Sequence, residues 1–336
     1  DNVVLEKMTE KSPSAPQEDQ VIKVEPMAID NPMVVEAEAL DKNTVRSSSF
    51  TASVIEAVLS PAKAVHITQK LSKLEGATCG ACQEANTYVA RENDANGEII
   101  FTAQEDSECM ERYCCSPCHS FMIHVKDPQD EDMFTLERPG CCQGKPFLCC
   151  IPLCDACTSE ITVHKGRVEG KPGKIENPKE IFTAKETRGC EGDLCHPQVK
   201  VYAPAQSKAE MTLTGPQCFG GCKDICCETK FEAAGQDFTQ IKGNVSKMTA
   251  KSCGELCQQI FLAKDTYKIE YAAGASPKEK AEMLVGALLI DYMYFERDKG
   301  PCACDKGICT INCCSCYCMG CLCPCVAVIP LGKGGE

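Results

Sequence analysis

Lys278–Glu296 reads KEKAEMLVGALLIDYMYFE, and the fold turns on where this segment can be housed. Ser276-Pro277 before it and Glu279 in its first turn are helix-start signals. Its apolar part, Met283 to Phe295, covers 13 residues, or about 20 Å of helix against about 30 Å of bilayer hydrocarbon. Apolar side chains occupy nearly every face, so the helix has to be surrounded rather than laid on a surface. Length and pattern together predict a helix buried in protein, threaded through a β-barrel.

The chain upstream supplies the material for such a barrel. Short β-prone runs occur at Glu98–Ala103, Phe121–Val125, Met133–Leu136, Glu160–His164, Ile181–Ala184, Val199–Tyr202, Met211–Leu213, Lys230–Ala233, Phe238–Ile241 and Tyr267–Tyr271. Asn96-Gly97 and Ala234-Gly235 read as hairpin turns. About ten short strands without alternating helices predict a mainly β domain, a barrel or a sandwich. Closure into a barrel would remove exposed edges.

The flanks differ in character. Residues 1–49 carry ten acidic and five basic side chains and four prolines without sustained periodicity, a flexible acidic leader. Residues 50–64 form a linker with a short helix, since Val54, Ile55, Val58 and Leu59 share one helical face. The β-barrel occupies 65–296, with its helix at 278–296. The remainder, 297–336, is a cysteine-rich tail, low in complexity and outside the barrel.

Composition narrows the function. The net charge of −13, from 35 basic and 48 acidic residues, with no sustained Lys/Arg run, argues against nucleic acid as a partner. No nucleophile and base stand at motif spacing, so hydrolase chemistry has no support. Thirty cysteines admit disulfide, metal or lipidated readings. With no basic n-region and apolar h-region at the visible N-terminus, the expectation is a reducing compartment with mostly free thiols.

In order, these pieces resemble the phospholipid scramblase family. The resemblance rests on Asn96–Cys109 (NGEIIFTAQEDSEC), Arg112–Pro117 with Phe121, Thr135–Pro139, Gly215–Cys218 and Leu289–Glu296 (LIDYMYFE), five islands across residues 65–296. It implies a tubby-like fold, a closed antiparallel barrel of about twelve strands around a buried hydrophobic C-terminal helix. It further implies bidirectional, non-specific movement of phospholipid between leaflets, triggered by calcium, with palmitate on cysteines. The partner implied is a phospholipid membrane surface, met from the cytoplasmic face of the plasma membrane or another cytosol-facing membrane. The alternatives are a non-catalytic tubby-like scaffold or regulatory subunit within a protein assembly or homo-oligomer, and a metal-binding or redox thiol protein.

Family members carry an EF-hand-like loop before the helix. Here Ala263 stands at the first ligand position, Asp265 at the third and Gly274 at the close. Losing both end carboxylates removes most of the charge that sets calcium affinity. Asp265 and Glu270 are therefore read as solvated loop or strand residues, and tight calcium binding is not expected.

Two cysteine clusters are candidates for acylation. The first, Cys141, Cys142, Cys149, Cys150, Cys154 and Cys157, lies where the family is palmitoylated. The second, in the tail, includes Cys313, Cys314, Cys316, Cys318, Cys321, Cys323 and Cys325. One acyl chain binds a membrane reversibly and two or more hold it stably. The competing cofactor is zinc, for which the Cys-x-x-Cys pairs Cys79/Cys82 and Cys115/Cys118 are the candidate set, although they lack standard ribbon spacing and barrel closure would have to unite them. The tail's Cys-x-Cys and Cys-Cys runs also resemble metallothionein chemistry. Asp291, inside the apolar helix, is read as a buried hydrogen-bonded carboxyl, with a lipid-path role as its alternative.

Overall fold

The computed structural model describes residues 55, 57–70, 85–108, 110–112, 119–140, 158–187, 192–236, 239–250, 252, 254–255, 265–295, 302–305 and 308–330. The acidic leader, the first cysteine cluster and Cys79, Cys82, Cys115 and Cys118 lie outside the described residues.

Twelve antiparallel strands close on themselves. In chain order the strands are β1 (Ala64–Lys70), β2 (Thr87–Glu92), β3 (Ile99–Asp106), β4 (Phe121–Lys126), β5 (Asp132–Arg138), β6 (Glu160–Lys165), the short β7 (Gly170–Lys171) and β8 (Lys174–Ile175), β9 (Glu180–Thr187), β10 (Gln198–Tyr202), β11 (Met211–Thr214), the short β12 (Cys218–Phe219), β13 (Thr229–Gly235), β14 (Ile241–Lys247) and β15 (Thr266–Tyr271). The barrel runs β1-β15-β14-β13-β11-β10-β9-β6-β5-β4-β3-β2, with β7 and β8 a separate hairpin. Closure comes from β1 pairing with β15 on one side, Val65 opposite Ile269, and with β2 on the other. A one-turn helix, α1 (Lys223–Cys226), links β12 to β13.

The helix α2 (Pro277–Ile290) fills the barrel, and every residue from Lys280 to Ile290 is buried. Ser276 and Glu279 form a reciprocal capping box with Pro277 in the first turn, satisfying amides that would otherwise be orphaned. Lys280 Nζ donates to the carbonyls of Leu59, Ser60 and Ala62 at 3.0, 2.8 and 2.7 Å, tying the helix start to the segment that leads into β1. Past Ile290 the helix widens into a π-turn, Asp291–Phe295.

Strand alternation builds the wall around it. Val199 and Val201 on β10, Tyr267 and Ile269 on β15, and Phe231 and Ala233 on β13 point inward and are buried. Small inward residues (Ala90, Ala103, Ala184, Ala233) leave room for a helix about 10–12 Å across. Fully burying each of Met283, Leu284, Val285, Leu288, Leu289 and Ile290 is worth about 1.5–3 kcal/mol, which is why this apolar segment lies inside.

Two expectations need correction. The run placed at Phe238–Ile241 is displaced: the strand is Ile241–Lys247. Ala234-Gly235, read as a turn, lies within β13 instead. The tail, for its part, has regular structure of its own. It forms β16 (Cys302–Asp305), β17 (Ile308–Cys318) and β18 (Cys321–Pro330), a sheet outside the barrel in which β17 pairs with β18, β16 and β12. Residues 55 and 57–59 are helical, within the linker.

Candidate functional site

Two constellations hold the chemistry that the fold does not otherwise require. The first is a buried polar network at the C-terminal end of α2. Asp291 follows the last regular helical turn and is 4% exposed. Tyr88 of β2 donates to its Oδ2 at 3.0 Å, and Tyr267 of β15 donates to its Oδ1. Tyr267 also reaches Asp265 Oδ2 at 3.2 Å. Lys247, at the end of β14, sits 3.0 Å from Asp265 and 3.4 Å from Asp224, with its ammonium 4.3 Å from the centre of the Phe295 ring.

Three carboxyls therefore share one ammonium, and full ionisation would leave uncompensated charge in a low-dielectric interior. Burial, reinforced by the Asp265 charge, pushes Asp291 up to about 7, against the opposing hydrogen bonds from Tyr267 and Tyr88. Burial likewise raises Asp265, with Lys247 opposing. Lys247 is held above its ordinary range: burial lowers it, and Asp265 and Asp224 outweigh that. The network continues through Tyr292, whose hydroxyl donates to Glu105 Oε2 at 3.1 Å. Glu105 also meets His119 at 3.2 Å. Burial pushes its carboxyl up, but His119, Ser107 and the Asn86 amide bring it below its ordinary value.

The second constellation is the tail hairpin. Met319 and Gly320 both have positive φ, 49° and 83°, the two-residue turn whose twist suits adjoining strands. The register pairs Cys314 with Cys325, Cys316 with Cys323 and Cys318 with Cys321. Direct partners and alternate residues share a face, so six thiol-bearing positions lie on one side of the hairpin. β12 adds Cys218, which pairs with Cys316 and is joined to it as a disulfide. The opposite side carries Tyr317, buried against the core, and Leu322 packed upon it. Backbone bonds from Tyr317 N to Gln217 O (2.6 Å) and Met319 N to Leu194 O (2.8 Å) fix the hairpin to loops of the barrel.

The candidate residues distribute unevenly between these two places. Asp265 is not solvated, as the sequence reading had it, but 8% exposed: Lys247 and Tyr267 replace water. Glu270 lies on the strand itself, bound to Lys268 at 2.6 Å and Asn244 at 3.3 Å, and takes no part in the network. Cys316 is a disulfide partner rather than a free thiol. Cys314, Cys318, Cys321, Cys323 and Cys325 share the thiol face, while Cys313 falls at a β-bulge between Asn312 and Cys314, without a partner in the register. The sequence reading missed Lys247, Tyr88, Tyr267 and Cys218. Nothing local marks Cys218, but the signal for the hairpin it joins was present, since CSCYCMGCLCPC (residues 314–325) is cysteine at period two on both sides of Met-Gly. That spacing is a hairpin pattern. Nothing local distinguishes Lys247 from a surface lysine.

Among the described residues, no helix is long and apolar enough to cross a membrane. Compared with known proteins, the chain matches the Scramblase family over residues 47–297. It is 27% identical over 206 residues to phospholipid scramblase 2 of Bos taurus, covering 61% of this chain and 60% of that protein. Against phospholipid scramblase 1 of Homo sapiens the identity is 26% over 202 residues, covering 60% and 54%. Against human phospholipid scramblase 4 it is 25% over 235 residues, covering 69% and 61%. The chain thus spans less than two thirds of the length of these relatives. With three quarters of its sequence under the family pattern, and a closed barrel enclosing Leu289–Phe295 of the LIDYMYFE island, the chain belongs to the scramblase family.

Proposed function

We propose that this protein associates with the cytoplasmic face of a membrane and moves phospholipid in both directions between its leaflets. Family membership and the names of the relatives support the lipid substrate. The observation that carries the membrane attachment is the tail hairpin: residues 308–330 contain no charged side chain, and Val326, Val328 and Ile329 are 51, 61 and 46% exposed. An uncharged strand with solvent-facing aliphatic residues beside exposed thiols suits an acyl-bearing surface resting on lipid. Palmitate on hairpin thiols such as Cys313, Cys318, Cys321 and Cys323, together with the cluster Cys141, Cys142, Cys149, Cys150, Cys154 and Cys157, would supply the two or more chains that stable anchoring needs. Calcium is not part of this proposal, because Asp265 is committed to Lys247 and Tyr267.

Full chain reconstituted in vesicles with leaflet-labelled phospholipid tests the activity. Loss of leaflet asymmetry, with or without calcium, is expected; no transfer under either condition would sink the transport reading.

One observation favours a second reading, a tethered regulatory or scaffolding module. A headgroup crossing about 30 Å of hydrocarbon needs a wet path, and the barrel interior is filled by α2. In the first reading such a path has to form between several copies or in thinned bilayer. In the second, acylated chain binds vesicles and leaves their asymmetry intact.

A further inference from the structure

Three sulfurs lie together where β12 and β17 meet, with a fourth beside them on β18, and none of the four is among the thiols proposed above to carry palmitate. Cys218, Cys314 and Cys316 place their sulfurs within 4.8 Å of one another. Cys325, on the adjoining strand, stands outside that trio but brings its sulfur to 3.7 Å from Cys316, near enough to complete a four-sulfur set by a side-chain rotation. Tetrahedral zinc, with Zn–S of about 2.3 Å, sets its four thiolates about 3.8 Å apart along each edge. We propose that Cys218, Cys314, Cys316 and Cys325 are a zinc site, open to metal when the Cys218–Cys316 bond is reduced and closed to it when that bond is formed.

Position, charge and rigidity support this assignment. The donors come from three adjacent strands, so the sheet rather than a flexible loop sets their spacing. A tetrathiolate zinc centre carries two negative charges. Lys223 lies beside it, its ammonium donating to the Cys218 carbonyl at 2.5 Å. Asn312 accepts from the backbone of Cys222 at 2.8 Å and holds the α1 segment against the hairpin. The same metal would lock β12, the strand that the segment between β11 and β13 lends to the tail sheet, to β17 and β18, a covalent link that the disulfide otherwise supplies.

The interconversion balances with a small-molecule thiol as reductant. Two such thiols give two electrons and two protons to the Cys218–Cys316 disulfide, leaving two cysteine thiols and one small-molecule disulfide. Zinc then displaces one proton from each of the four thiols.

Cobalt(II) reports sulfur coordination directly, and the full chain is titrated with it after reduction by a small-molecule thiol. The expected result is thiolate-to-cobalt charge transfer with tetrahedral d–d absorption. Cys314→Ser and Cys325→Ser should each lower the bound cobalt by one equivalent, and Cys313→Ser and Cys323→Ser should not. Oxidation of Cys218–Cys316 should lower it by the same equivalent, and reduction should restore it. A measurement that needs no variant is zinc protection against alkylation, mapped by peptide mass. Zinc should shield Cys218, Cys314, Cys316 and Cys325 and leave Cys318 and Cys323 reactive. Equal cobalt in Cys314→Ser and wild type, an equal loss in Cys323→Ser, or alkylation of the four as fast as Cys323 in zinc would overturn the assignment.

Discussion

Tyr88 on β2 donates its hydroxyl to Asp291 at 3.0 Å, linking residues 203 positions apart in sequence and tying the end of the central helix to the barrel wall. Tyr267 approaches the same carboxyl from β15. Since β1 lies between β2 and β15, the two tyrosines hold Asp291 from either side of the strand that closes the barrel.

The first prediction concerns pH. Asp291 is raised to about 7, chiefly by burial with Asp265 adding to it, and Glu282 to about 8, by burial and then by its bond to Glu210. Both keep in the folded chain a proton that the unfolded chain releases near pH 4. Their stabilisation is complete below that pH and is lost as pH rises through about 7 and 8. Glu105 and Glu137, whose carboxyls are depressed, act oppositely, weakening the fold only on acidification below the ordinary carboxylate range. Urea midpoints should therefore fall between about pH 5 and 8, and Asp291→Asn should flatten that fall. An unchanged slope in Asp291→Asn would show that Asp291 is not the group responsible.

A second prediction concerns the shared ammonium. Lys247→Met strands Asp224, Asp265 and Asp291 without their cation, and removing one partner of a buried pair costs about 3–5 kcal/mol. Lys126→Ala removes an ion pair to the exposed Asp130, a kind of pair worth about 0–1 kcal/mol. Chemical denaturation of both variants should separate them clearly. Similar midpoints would mean that the buried pairing contributes little.

Gly243 gives a third. Its φ is +151°, and a methyl there would meet the Glu270 carbonyl oxygen and the Met283 Cε, the latter at 2.7 Å. Neither the strand nor the helix can retreat without opening the barrel. Gly243→Ala should cost about 2 kcal/mol or more, read as a lowered thermal midpoint. A neutral effect would imply that β14 and α2 are less closely packed than described.

Calcium provides a fourth. With Asp265 bound to Lys247 and Tyr267, and Glu270 bound to Lys268 and Asn244, the two carboxylates of this segment do not converge, among the described residues, as a calcium site requires. Isothermal titration should show no micromolar calcium binding that depends on Asp265. Heat of binding that disappears in Asp265→Ala, with the fold retained by circular dichroism, would refute this.

The barrel was readable where strands alternate cleanly, as in Val199–Tyr202 and Tyr267–Tyr271, and the helix was readable from its length and all-round apolarity. Reading failed where residues serve packing or charge instead of strand propensity. β14 reads IKGNVSK: Gly243 admits Met283 and the buried Lys247 neutralises carboxylates, so residues that make it unlike a strand are ones the core requires. The tail failed differently, because cysteine carries little strand preference and its repetition masked a period of two. The partners of Asp291 were out of reach altogether, since they depend on which strands closure brings together.

The chain contains no tryptophan, so a single introduced indole reports on its surroundings without interference. Acylated full chain carrying Val328→Trp or Phe295→Trp, bound to vesicles of phospholipid brominated on the acyl chains, measures which part of the molecule meets lipid. The account predicts strong quenching at residue 328 on the tail and none at residue 295, enclosed with α2 by the barrel. Quenching at 295 equal to or greater than that at 328 would contradict it.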